Sequence, residues 1–261
     1  MLNHSDDWEF HPILGGSGES FMGVNQEEKL FFKRNISPFV TALSAKGITP
    51  RLMWTKRTYS GDTLTAQEWK EGRLLEKKEM EKAELIQLLY QVHHSDDLLD
   101  MLKRVGGKVY RPLDFLEEYF QELPPHLASN HLFNEVVCHL QDSVTEEFYQ
   151  VDLSVCHGDL HHHNFIMEYN SQNLYLVDWE KVRISDYLSD LSYLLIQYFP
   201  PGHWTQWLTT YQADFQEPKF YERIRWYSLI NCLLLIKQYY QEKRYFKVNE
   251  LILLLKSIYQ N

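Results

Sequence analysis

Cysteine is scarce: Cys138, Cys156 and Cys232 are the three in 261 residues, and none stands at C-x-x-C spacing. So few, unpaired by arithmetic, argue against a disulfide scaffold and for a reducing compartment. Long apolar runs are missing too. The stretch Cys232–Ile236 reaches five residues, against the roughly 18 that a membrane helix needs, so no membrane insertion is expected. The opening residues, Met1 to Asp7, lack the basic and apolar regions of a signal peptide. These absences point to a soluble, cytoplasmic protein. A basic surplus is also lacking, with 26 Lys+Arg against 36 Asp+Glu and a net charge of −10. Phosphate backbones need a basic face, so direct binding of nucleic acid is not expected. Internal repeats and low-complexity tracts do not occur.

What is present is ordinary globular composition, 44% hydrophobic and 24% charged, in a chain long enough for one large domain or two modest ones. Its charge is unevenly placed. Residues 29–61 hold seven Lys/Arg and no Asp or Glu, whereas residues 142–190 hold ten carboxylates against Lys181 and Arg183 alone. Two solvated surfaces would give such blocks, and so would a cleft with a cationic wall for phosphates and an anionic floor for metal ions.

Periodicity changes near residue 70. Before it, residues 8–14, 20–24, 29–33, 51–59 and 63–69 read as short strands punctuated by Gly, Asn and Pro, with Gly61-Asp62 as a hairpin turn. After Gly72, apolar residues recur at three to four, as in Met80, Ala83, Leu85, Ile86, Leu88, Leu89 and Val92. Strands return at 154–156, 165–167 and 174–177, and everything from Leu188 reads as helix. The expectation is an α+β protein with a β-rich lobe over 1–70 and a larger α-rich lobe over 71–261 that carries a short β insert.

That insert holds Val155-Cys-His-Gly-Asp-Leu-His-His-His-Asn-Phe165 and then Leu174-Tyr-Leu-Val-Asp-Trp-Glu180. Reduced to its pattern, it is H-x-D-x-x-x-x-N on a loop leaving a strand, followed by an apolar strand ending in D-W-E. Phosphoryl transfer asks for these residue types in this order. Asp159 would accept or orient the proton of an attacking hydroxyl, while Asn164 and Asp178 would hold the Mg²⁺ that neutralises the β- and γ-phosphates of ATP. A neutral amide beside one carboxylate supplies hard oxygen ligands without crowding negative charge against phosphate.

Two other readings compete. His157, His161, His162 and His163 look like a zinc cluster, but three consecutive side chains cannot converge on one ion and no fourth ligand falls at zinc spacing. His157 reads better as a packed loop anchor. His93-His-Ser-Asp-Asp97 invites comparison with HD phosphohydrolases, which need an adjacent His-Asp pair that this chain lacks. It reads instead as a polar helix end with Ser95 or Asp96 capping the next segment.

At these motifs the sequence resembles the choline kinase and aminoglycoside phosphotransferase family, small-molecule relatives of protein kinases. It is most similar to the bacterial CcrZ-type cell-cycle regulator branch, through Gly15-Gly-Ser-Gly18, Phe31 to Pro38, Ala66-Gln-Glu-Trp69 and Val177-Asp-Trp-Glu180. The resemblance implies a bilobal protein-kinase-like fold and dependence on ATP and Mg²⁺. It implies a catalytic base at Asp159, metal ligands at Asn164 and Asp178, and a supporting carboxylate at Glu180. Asp190 matches the buried acid that braces the catalytic loop, although an N-cap role would also suit it. Lys33 matches the lysine on the α/β-phosphates, Gly15, Gly16, Ser17 and Gly18 the phosphate loop, and Gln67, Glu68 and Trp69 the adenine-facing linker. One departure stands out: no acid occurs between Glu28 and Asp62, where the lysine's helix partner belongs. Either Glu19, Glu68 or Glu71 substitutes, or Lys33 is held in another way.

The resemblance implies a small hydroxyl compound as acceptor. Aromatics at 204, 207, 211, 226, 227, 239 and 240 would form a choline cage or simply a core, and an acidic C-terminal part would suit an aminoglycoside. The CcrZ-type resemblance implies instead ribose or 2-deoxyribose, with replication-initiation or cell-division proteins as partners. An ATP-gated regulatory scaffold without turnover is the rival reading.

Overall fold

A computed structural model describes residues 8–13, 20–26 and 28–260. In chain order the strands and helices are β1 (Glu9–Pro12), β2 (Ser20–Val24), β3 (Lys29–Arg34), α1 (Val40–Ala45), β4 (Leu52–Arg57), β5 (Thr63–Glu68) and β6 (Gly72–Leu74). Next come α2 (Ala83–His93), α3 (Asp96–Arg104), α4 (Pro112–Phe120), α5 (Pro125–Ala128), α6 (His131–Ser143), β7 (Ser154–Cys156), β8 (Phe165–Glu168) and β9 (Leu174–Leu176). The chain finishes with β10 (Arg183–Ser185), α7 (Leu188–Tyr198), α8 (Trp204–Tyr211), α9 (Phe220–Gln241) and α10 (Tyr245–Gln260).

By internal contact the chain forms two compact units, each described here by itself. The first takes in the chain as far as Glu76 together with His162–Glu180. Its main sheet has the order β1-β2-β3-β5-β4, antiparallel at every pairing. Strand β3 alternates as a half-buried strand should: Leu30 and Phe32 point inward and pack with Ala66. Phe32 meets Trp8 and Trp54 edge-on at 5.1 and 5.5 Å. A second sheet, β6-β8-β9, adds the hairpin that carries two of the motif residues. Pairing of β6 with β8 carries this unit past residue 70; β6 is three residues long, too short to announce itself by period.

The second unit comprises Lys77–His161 and the chain from Lys181 onward. Helix α9 runs through its middle, packed against α4, α6, α7 and α10. Its residues are buried on every side over much of their length, from Phe220 to Ile236. Arg223 anchors that helix with a two-pronged ion pair to Asp186 at 2.9 and 3.2 Å and a third contact to Glu217 at 2.8 Å. Strand β7 pairs with β10, Cys156 opposite Arg183. No helix among the described residues is long and apolar enough to cross a membrane.

Candidate active-site residues

In the first unit the β8–β9 hairpin sets two residues side by side. Asn164 closes a short 3₁₀ turn, His162–Asn164, and is 5% exposed. Its carbonyl accepts the N–H of Val177 at 2.9 Å, so the backbone next to Asp178 is tied to Asn164. Asp178 itself sits at φ +63°, a left-handed conformation that costs a non-glycine residue energy and persists only where the surroundings enforce it. Trp179 enforces it: its indole N–H donates to the Leu176 carbonyl at 2.9 Å, and its ring meets Phe39 at 6.2 Å.

Asp178 Oδ1 and Glu180 Oε1 converge on the Lys33 ammonium, at 2.9 and 2.6 Å. Burial disfavours the charged lysine, but its hydrogen bonds to Glu180 and Asp178 outweigh it and raise its pKa above the ordinary value. Lys33 is thus held neither by a helix acid nor by Glu68, which pairs with Lys70 at 3.0 Å, nor by Glu71, which pairs with Lys29 at 2.9 Å. The two carboxylates stay about half exposed. Two oxygens already directed at one cation, with the Asn164 amide on the adjoining turn, form a hard-oxygen set that suits Mg²⁺.

Gln67 is a buried support: its side-chain amide donates to the Pro50 carbonyl at 2.9 Å and to Thr49 at 3.3 Å. The backbone N–H of Glu68 reaches Arg51 and that of Trp69 reaches Lys29. Gly15, Gly16, Ser17 and Gly18, like Glu19, lie outside the described residues.

The second unit holds Asp159. Its carboxylate takes the Tyr193 hydroxyl at 2.8 Å and the Lys181 ammonium at 3.0 Å. Burial pushes its pKa up, yet Lys181 and Tyr193 prevail and hold it below the ordinary carboxylate value. The loop beneath is braced by Asp190, whose two oxygens accept the backbone N–H groups of His157 at 2.6 Å and Gly158 at 2.9 Å. Asp190 does not cap α7: the N-cap position is Tyr187, and the N–H of Leu188 is accepted by Asp186 at 2.9 Å. Asp190 in turn meets His93 Nε2 at 3.3 Å, and His93 Nδ1 meets the Tyr211 hydroxyl at 2.8 Å. Burial opposes ionisation of Asp190, but the His93 hydrogen bond and nearby positive charge keep its pKa low. Gly158 has φ +80°, and a Cβ there would collide with the Lys181 carbonyl oxygen.

His157, 1% exposed, is a loop anchor whose Nδ1 accepts the N–H of Asp159 at 3.2 Å. Ser95 caps α3 by accepting the N–H of Leu98 at 3.3 Å. His93, read from the sequence as part of a polar helix end, is instead buried against Asp190 beneath the loop of Asp159. It approaches Cys156 and Asp190 closely enough to resemble a metal site. Burial raises the Cys156 thiol well above its ordinary pKa, and a protonated thiol is no metal ligand. Of the seven aromatics, Trp207, Tyr211, Trp226 and Tyr227 are core residues, which leaves no cage of that size. Lys181 and Tyr193, the direct partners of Asp159, carried no signal in the sequence beyond a lysine adjoining D-W-E.

A family model described as "phosphotransferase enzyme family" matches residues 25–227. Among solved structures, choline kinase LicA from Streptococcus pneumoniae is similar with a TM-score of 0.71 at 16% identity, over 97% of this chain and 94% of that one. A choline/ethanolamine kinase family protein from Mesorhizobium loti gives 0.66 at 14%, over 98% and 90%. Aminoglycoside 2'-phosphotransferase-IIIa, solved as its GDP complex, gives 0.65 at 14%, over 96% and 92%. At such identities the likeness is one of fold, and the fold is the kinase-like α+β fold.

Proposed function

The chain belongs to the phosphotransferase enzyme family, and from that premise we propose that it moves the γ-phosphate of ATP to a hydroxyl of a small uncharged acceptor, a pentose such as ribose or 2-deoxyribose. The observation that carries this is Asp159, an ionised carboxylate held by Lys181 and Tyr193 on a loop that Asp190 fastens from behind. An acceptor hydroxyl hydrogen-bonds to that carboxylate, which orients the oxygen and takes its proton as the bond to phosphorus forms; ADP leaves with the β-phosphate oxygen. Mg²⁺, when bound, offsets the negative charge shared by the β- and γ-phosphates. Asn164 and Asp178 would hold it, with Glu180 in support. Lys33, drawn to both carboxylates in the free protein, serves the α/β-phosphates. The loop Gly15–Gly18 and the segment Gln67–Trp69 serve the rest of the nucleotide.

The regulatory scaffold drew its motivation from the missing helix acid and from an acidic surface suited to a basic partner patch. Asp178 and Glu180 supply Lys33 with carboxylates by another route, so the first of these falls away. The resemblance to the CcrZ-type branch supports the pentose as acceptor and a role for the product in regulating DNA replication initiation. An unchanged origin-to-terminus ratio in cells carrying Asp159→Asn would remove that role.

The direct test is Mg²⁺-dependent ADP release from ATP with ribose, 2-deoxyribose, choline or an aminoglycoside present. Stimulation by a pentose, reduced about 10³-fold in Asp159→Asn, is expected from loss of a positioned base. Equal turnover in the mutant overturns the mechanism.

A further inference from the structure

A cavity of about 140 Å³ opens in the helical unit where α6, the turn Glu146–Tyr149 and the start of α9 meet. Neither Lys181 nor Tyr193, the partners of Asp159, lines it. Part of its lining is aromatic: Trp226 and Phe148 are 2% and 3% exposed, with ring centroids 6.4 Å apart. The Trp226 indole N–H already donates to the Leu140 carbonyl at 2.9 Å, so that ring has only its apolar surface to offer a ligand. The charged part comes from Lys219, Glu222 and Arg225, which follow at three-residue spacing and so share one side of α9.

Arg225 is held but not neutralised. Its Nε and Nη2 donate to the carbonyls of Ile258 and Tyr259 at 3.2 and 2.8 Å, which fixes the guanidinium against the end of α10. Its Nη1 forms no hydrogen bond, and the residue no ion pair, among the described residues. In a chain of net charge −10, a partly buried guanidinium without an acid stands out, since its planar fork matches a carboxylate. The neighbouring His139 feels that charge: burial first and Arg225 second lower its pKa, against the opposing pull of Asp142. Lys219 also lacks a close partner. Its ammonium stands 3.6 Å from Glu147 and 3.9 Å from Glu222, beyond hydrogen-bond length. Its backbone sits at φ +54°, a left-handed conformation that costs a lysine energy.

Two cations with donors to spare beside an aromatic wall suit a small organic anion. An organic cation would meet Lys219 and Arg225 against the single carboxylate of Glu222, and a bare inorganic anion would leave the rings uncovered. Size agrees: a cavity of about 150 Å³ holds benzene, so the scale is one ring with its acid group. We propose that this cavity binds a small aromatic carboxylate, its charge on Arg225 Nη1 and Lys219 and its ring against Trp226 and Phe148. None of these residues takes part in the phosphotransferase reading, so the site stands or falls apart from it.

The test uses the whole chain with benzoate as probe. Binding is followed by NMR at the Trp226 indole N–H, assigned with Trp226→Phe, and at the His139 ring. Saturable binding with a dissociation constant of about 1 mM is expected of a ligand this small. Benzamide, the uncharged isostere, and benzylamine should each bind about tenfold more weakly, as should benzoate to Arg225→Gln. Lys219→Asn puts a residue that tolerates the left-handed backbone in place of the cation, and should weaken benzoate about threefold, the smaller effect of a more exposed charge. Bound benzoate should also move the His139 titration to higher pH, because a nearby anion favours the imidazolium.

Benzamide binding as tightly as benzoate overturns the proposal, as does benzoate binding that leaves the Trp226 and His139 signals unmoved. An affinity unchanged in Arg225→Gln does the same, and Lys219→Asn decides in its place if that variant fails to fold. No saturation by about 10 mM benzoate also overturns it.

Discussion

The sheet unit and the helical unit hold their functional carboxylates in opposite ways. Asp178 and Glu180 are half exposed and share one lysine. Such a pairing is easily exchanged for another cation, because exposed ion pairs contribute little and their partners keep access to solvent. Asp190 is 1% exposed and accepts two backbone N–H groups besides its contact with His93. A buried charge satisfied on all sides is costly to disturb. On the proposed reading, one unit presents ligands that trade partners during a reaction cycle, and the other a brace that holds the loop of the base in place. Asp159 stands between these extremes in character, 18% exposed at its side chain, with one exposed partner in Lys181 and one buried partner in Tyr193.

Several substitutions break or sharpen this contrast. The largest effect on stability is expected from Asp190→Ala, which strands the N–H groups of His157 and Gly158. A loss of about 3 kcal/mol in urea unfolding is expected, whereas Asp178→Ala should stay within about 1 kcal/mol while abolishing Mg²⁺-dependent turnover. Equal losses in the two variants would erase the distinction. Gly158→Ala comes next. It combines a left-handed φ with a clash against the Lys181 carbonyl, and about 2 kcal/mol is expected from such strain. A variant as stable as the parent would mean that the loop can relax.

The smallest effect is electrostatic and concerns pH. The Asp159 carboxyl titrates below its ordinary 3.8. A base must be ionised to accept a proton, so the acid limb of kcat/KM follows the Asp159 carboxyl and lies below the ordinary carboxylate range. Lys181→Met removes the ammonium that helps depress it, and the limb moves to higher pH. Lys181 is half exposed, so the change at neutral pH should be about threefold or less. A pH profile that does not move would show that Tyr193 and the nearby His161 hold the carboxyl down without Lys181.

Strands were readable wherever period-2 patterning met turn residues: β2 and β7 stand at the residues that their patterns indicated. The three-residue strands β6 and β10 were not, since each exists only through its pairing with β8 or β7. The candidate residues Asp159, Asn164 and Asp178 were legible for a local reason: loop and strand context sits within a few residues of each. Their partners were not. Lys33 meets Asp178 across 145 positions of sequence, and His93 meets Asp190 across 97.

The sequence alone, then, determined which groups could do phosphoryl chemistry, because residue type and short-range spacing set what a side chain is able to bond. Tertiary structure decided what each group does bond: carboxylates for Lys33 in place of a helix acid, and a buried brace for the loop of Asp159. Hydrogen bonds and ion pairs act over a few ångströms in space, and only the folded path of the backbone brings distant positions within that reach.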